Sequence, residues 1–289
     1  MVLSRRGFLK GVAIGTLGAA GLASWADDEP ATATSPEAKA TLLTGPLGRR
    51  GIHVEAGGAS NVAALERLVG EIAPALGMNW VIAEIGGGFQ YAIVFDLLDE
   101  LIDAFEAKAF HVGMDEVFIL GNCPRCKGTS NGELFAKAVN DLHGHLVGTR
   151  KVEMQMWGDR LLHAETMGYG EWESSANGTW QAIDMVPKDI VLCDWHYGMD
   201  NPSFPSIRFF QDKGFRVWPA GWNEEESIRK FIEVARKEAG PLMLGYLCTS
   251  WSNVTAVVNG LAGEPTEGGR RGVQRIVAGV KLGAELSRG

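Results

Sequence analysis

Two adjacent carboxylates, Asp115 and Glu116, stand one residue beyond the short apolar run Ala109-Phe-His-Val-Gly113. An acidic pair at the end of a strand-like run suits acid–base chemistry. Burial and a nearby like charge both raise a carboxyl pKa, and an acid still protonated near neutral pH can give its proton to a leaving oxygen. Such a donor is worth roughly 10²–10⁴-fold in rate. On a solvated loop the same pair would be inert, so the surrounding elements decide the matter. His111 lies just ahead of the pair. Glu55, Glu84, Trp157, Asp159, Asp194, Trp195, His196, Tyr197, Trp218, Trp222 and Trp251 each fall at or just past the end of another apolar run. Nine Trp in 289 residues is a high count, and Trp makes flat apolar walls as well as core.

The elements that position these residues alternate. Strands are expected over 51–55, 79–85, 109–113, 152–157, 190–195, 215–218 and 242–250. Helical stripes are expected after Asn61 (Val62, Leu65, Leu68, Val69, Ile72), over Ile93 to Phe105, Leu134 to Leu146, Ile207 to Phe210, Ile228 to Ala235 and Val273 to Leu286. Alternating strands and helices imply a parallel sheet with right-handed crossovers. Short, apolar and mostly non-alternating strands fit burial on both faces. No GxGxxG follows the first strand, which disfavours a dinucleotide fold. The expected class is α/β, a (β/α)₈ TIM-barrel type that is one βα unit short, with seven strands readable. In such a barrel the strand C-termini form the rim where active sites lie, and the acids and Trp above gather there. Residues 163–188 form a long connection that could overhang this rim.

His111-Val-Gly-Met-Asp115-Glu116-Val117 resembles the His-x-Gly-Gly-Asp-Glu signature of family 20 glycoside hydrolases, the β-N-acetylhexosaminidases. Arg50-Gly51, Gly77-Met78-Asn79, Trp157-Gly-Asp159 and Thr249-Ser-Trp251 look like further landmarks of that family's barrel, and the resemblance spans roughly residues 48–255. It implies a substrate-assisted retaining mechanism, an exception to the two-carboxylate scheme. Glu116 would be general acid, then base, and Asp115 would orient the 2-acetamido group. Trp157, Trp195, Trp218 and Trp251 would wall the acetamido pocket, Tyr197 would bond its carbonyl, and His111, Asp159 and Glu55 would contribute to sugar binding. No cofactor and no metal is implied. The chain departs from the family in three places. One βα unit is missing, Met114 stands where a second Gly is usual, and Glu55-Ala-Gly-Gly58 replaces an Asp-x-x-Arg that grips sugar hydroxyls.

Two other functions compete with this one. A non-catalytic carbohydrate-binding relative would keep the pocket without turnover. A metal-dependent hydrolase would recruit His53, Glu55, His111, His196 and Asp159, since imidazole and carboxylate suit Zn²⁺. The net charge of −8 and the lack of a basic stripe argue against nucleic acid as a partner. The expected partner is a carbohydrate substrate.

Residues 1–26 resemble a twin-arginine export leader: Ser4-Arg5-Arg6-Gly7-Phe8-Leu9-Lys10, a weakly apolar run to Trp25, and small residues near Ala26. That run is too short and too rich in Gly and Ala for a stable membrane span. Export implies a prokaryotic periplasmic or extracellular protein. Residues 27–46 read as a flexible linker, and 47–289 as the catalytic-type barrel. Cys123-Pro-Arg-Cys126 is a lone CxxC that admits a disulfide or local turn, free thiols or a metal, whereas Cys193 and Cys248 sit in apolar runs as core thiols.

Overall fold

The computed structural model describes residues 13–15, 19–24, 48–55, 61–85, 91–265 and 271–288. Seven parallel strands form a nearly closed barrel flanked by helices: β1 (Arg49–Glu55), β2 (Trp80–Ile85), β3 (Ala109–His111), β4 (Glu153–Trp157), β5 (Val191–Trp195), β6 (Arg216–Gly221) and β7 (Gly245–Cys248). Hydrogen-bonded neighbours run β2–β1–β7–β6–β5–β4–β3, every pair parallel. This is the expected TIM-barrel-like class. The open seam lies between β2 and β3, where the missing unit would stand. Backbone from Ala19–Ser24 runs antiparallel along β2 there and meets β3 at Gly21↔Phe110. These residues fall within the segment that resembles an export leader, so its removal would leave two strand edges facing each other.

The helices α1 (Val62–Arg67), α2 (Tyr91–Phe105), α3 (Asn131–His143), α4 (Pro205–Asp212), α5 (Glu225–Lys237), α6 (Val254–Ala262) and α7 (Arg271–Arg288) fill the outer layer. The expected helix from Asn61 to Ile72 is helical throughout but widens into a π-turn at Leu68–Ile72. Pro74 has no N–H to give to Gly70, which breaks the α register. Helix α3 starts on a capping box: Ser130 accepts from Glu133 N, and Glu133 accepts from Ser130 N. Helix α6 escaped the pattern reading because its apolar positions, Val254, Val257 and Val258, are β-branched. Asn253, whose side chain accepts from Thr255 N, marks its start.

Alternate strand residues face the barrel interior, as the pleat requires. The N-terminal end is plugged by charge. Glu153 on β4 accepts from Arg49 Nη1 at 2.9 Å and pairs with Arg216, while Arg49 lies 4.1 Å over the Trp80 ring. Burial opposes ionisation of Glu153, yet Arg49 and then Arg216 outweigh it and hold the carboxyl down at about 2. The outer faces of β1, β2 and β7 (Ile52, Val54, Val81, Tyr246) pack against Leu65, Phe231 and Val280 of the helices.

A folded pKa below the unfolded value means stability that is present above about pH 4.5 and lost as pH falls toward 2. Urea unfolding at several pH values should show this acid loss in the wild type. Glu153→Gln should be destabilised by about 3–5 kcal/mol at pH 7, because it strands the buried Arg49 and the part-buried Arg216, and should lose much of the acid dependence.

Candidate active site

Beyond β3 the chain turns sharply. His111 is fully buried, and its Nδ1 accepts the Gly113 N–H at 3.1 Å, so the neutral ring carries its proton on Nε2. Burial, then the neighbouring His53, push its pKa down to about 3, and the ring is uncharged at neutral pH. Gly113 (φ 74°), Met114 (φ 74°) and Glu116 (φ 52°) all adopt left-handed backbone. The cost at the two non-glycine positions is about 1–3 kcal/mol each. The turn is held by His111 on the Gly113 N–H, by Asp159 Oδ2 on the Glu116 N–H at 3.0 Å, and by the Trp157 and Phe118 N–H groups on the Gly113 and Glu116 carbonyls at 3.0 and 2.8 Å. The result delivers the Glu116 side chain to the exposed mouth, with Asp115 half-buried beside it.

The Glu116 carboxyl is shifted upward, first by partial burial and then by Asp159, with Arg160 opposing. The like charge expected from Asp115 is supplied by Asp159 instead. Asp159 follows β4 and is itself buried, and burial raises its pKa against the pull of Arg160. Its position behind Glu116 makes it a support for the loop and not a rim contact.

Arg160 was not singled out by the pattern. Its guanidinium is buried and donates through Nε to Asp159 at 2.6 Å, and through Nη2 to the carbonyls of Glu171 (2.7 Å), Trp172 (2.8 Å) and Ser174 (2.6 Å). The long 163–188 connection is thereby clasped to the loop that bears Glu116. Asn177 Nδ2 adds bonds to the carbonyls of Val117 (2.8 Å) and Phe118 (3.0 Å), and Phe118 meets Trp172 edge-on at 4.9 Å. Only the direct adjacency of Arg160 to Asp159 could have flagged it.

The expected aromatic residues separate into two layers. Trp157, at the end of β4, packs against His111 (4.6 Å), Trp251 (5.4 Å) and His53 (6.0 Å) as a buried floor. Trp251 donates its indole N–H to Tyr197 Oη at 2.6 Å, and Trp195 stacks on Tyr197 at 4.9 Å. Thr249 Oγ1 lies 3.2 Å from the same Tyr197 oxygen. Burial foremost, with the Asp115 charge adding, pushes the Tyr197 phenol well up, so it remains a neutral donor. Trp218 does not join this group. It lies a layer lower, edge-on to Trp80 at 5.6 Å, and a Cβ on Gly51 would strike its ring at 2.7 Å. Glu55 ends β1 with its side chain exposed at the rim, and its N–H bonds Ser252 O at 3.0 Å.

Asp194 and His196 also leave the mouth. His196 is buried between Glu173 (Nδ1 to Oε2, 2.7 Å), Asp194 (Nε2 to Oδ1, 3.1 Å) and Ser206 Oγ (2.9 Å). Burial disfavours its charge, but Asp194 and Glu173 hold it protonated up to about 9. This network pins the far side of the 163–188 connection to β5. His53 and His111 lie near each other beside Trp157, whereas His196 sits apart with Asp194 and Glu173. No group of three or more His, Cys, Asp or Glu among the described residues is placed to hold a metal ion. No helix among the described residues is long and apolar enough to cross a membrane. No family model matches the chain, and no characterised protein is significantly similar to it.

Proposed function

We propose that the chain is an exported glycoside hydrolase that removes terminal β-linked N-acetylhexosamine, the sugar's own 2-acetamido oxygen acting as nucleophile. One observation carries this reading: a carboxyl shifted upward on Glu116 at the mouth, with Asp115 beside it near Tyr197 above an aromatic floor. Glu116 gives its proton to the glycosidic oxygen as the bond from the anomeric carbon breaks. The acetamido oxygen closes onto that carbon, and Asp115 accepts the acetamido N–H and offsets the positive charge of the oxazolinium-like intermediate. Tyr197 donates its hydroxyl to the acetamido group, while Trp195 and Trp251 flank it over Trp157. Glu116 then takes a proton from the water that opens the ring. Glu55, exposed at the end of β1, is the acid assigned to sugar hydroxyls. Export follows the twin-arginine-like leader.

The test is release of a chromogenic leaving group by residues 27–289. Turnover is expected on β-N-acetylglucosaminide or β-N-acetylgalactosaminide and none on the matching β-glucoside, which lacks the internal nucleophile. Equal cleavage of the glucoside would sink the substrate-assisted mechanism. The seam between β2 and β3, where no parallel strand stands and only Ala19–Ser24 of the leader-like segment intervenes, favours a second reading, a sugar-binding protein without turnover. Saturable N-acetylglucosamine binding with no product would select it.

A further inference from the structure

Cys123 and Cys126 lie on the same β3–α3 loop as Glu116, at the surface and away from the mouth chemistry. Their Sγ atoms are 3.0 Å apart, and the Cys126 N–H bonds the Cys123 carbonyl at 3.0 Å. That bond closes a β-turn with Pro124 at its second position, where the ring pre-sets the required φ. A closed turn of this kind keeps its end Cα atoms within about 7 Å, the range in which a disulfide forms without backbone movement. The turn is braced on its far side by Thr129 N to Cys126 O at 3.1 Å, and then by the Ser130 cap of α3.

We infer that Cys123 and Cys126 are a dithiol site that takes small-molecule or protein disulfides as co-reactant and is converted to an internal disulfide. Cys123 is the attacking sulfur. The contact with the Cys126 sulfur favours the Cys123 thiolate most, with Arg125 adding a little, and the same contact raises Cys126. The Cys123 thiolate attacks one sulfur of the donor disulfide and expels a thiolate, leaving a mixed disulfide. Cys126, on losing its proton, attacks the Cys123 sulfur and expels the second thiolate. Two protein thiols are oxidised and one donor disulfide is reduced to two thiols. The bond formed would shorten the free path of the loop that carries Asp115 and Glu116. It would persist in an oxidising compartment of the kind the leader implies. Cys193 and Cys248 are buried with thiols pushed upward, and serve as internal controls.

The test uses the reduced full chain incubated with oxidised glutathione and quenched by alkylation. Under denaturing alkylation two of the four thiols should escape, the intact mass of an acid-quenched, unalkylated sample should fall by about 2 Da with no retained glutathione, and the linkage should map to Cys123–Cys126. Cys126→Ser, lacking the resolving thiol, should instead keep one glutathione on Cys123. Alkylation of both Cys123 and Cys126 after prolonged exposure, or a lasting glutathione adduct on the wild type, would overturn the inference. Neither readout depends on glycoside turnover, so this site and the hydrolase reading stand or fall separately.

Discussion

If Glu116 is the proposed general acid, Glu116→Gln should lower kcat on a β-N-acetylglucosaminide by roughly 10²–10⁴-fold, the usual worth of a positioned proton donor. The amide keeps the shape and the Asp159 contact, which is made by the Glu116 backbone N–H and not by the side chain. Substrate affinity should therefore hold while turnover collapses, and leaving groups that need no protonation should lose least. The pH profile carries a second signature. In the proposed mechanism the competent form of Glu116 is the protonated one, so kcat/KM should fall as pH rises through its pKa. An upward-shifted carboxyl extends that limb to higher pH than an ordinary Glu allows. Asp159→Asn removes the negative neighbour and leaves Arg160 to pull the other way, so it should move the limb to lower pH. A limb that stays in place in the Asn variant would show that Asp159 does not set the acid, whatever the variant does to kcat.

Arg160→Leu should destabilise the fold by about 3–5 kcal/mol, the cost of leaving a buried carboxylate without its cation. It also removes the common partner of Glu171 O, Trp172 O and Ser174 O. The consequences should be local before they are global. Hydrogen exchange should rise first in 171–174 and in 112–120, the two segments that meet at this guanidinium, with β6 and β7 little changed. Arg160→Lys should rescue little, because an ammonium lacks the planar fork that serves Asp159 and three carbonyls from one side. If exchange rises uniformly over the barrel, Arg160 is a general stabiliser and not a clasp between the two loops.

The barrel was legible in the chain because its code is local. Strands buried on both faces must be apolar without alternation, so β5 and the core of β7 stand out as runs, while β4 keeps the polar Glu153 and Gln155 at alternate positions. Their helices declare themselves by a 3.6-residue stripe, as in Ile228–Ala235. The loop position of Asp115 and Glu116 followed from the same pattern, since residues just past a barrel strand reach the rim. Depth within the barrel is another matter. Trp157 and Trp218 look alike in one dimension, each within an apolar strand, yet Trp157 ends β4 and floors the mouth, whereas Trp218 comes early in β6 and packs beside the Arg49 plug. At ~3.3 Å per residue, a shift of two places changes the layer a side chain occupies. The company of Glu116 was equally hidden. Left-handed backbone at Met114 and Glu116 turns the chain so that the acting charge neighbour is Asp159, from another strand. Arg160 finds its carbonyl partners in a loop that bears no periodicity at all. Spacing along the chain reports which residues share a face or an end. Which of them meet depends on strand register, barrel tilt and loop return, and these are set by packing between segments distant in sequence.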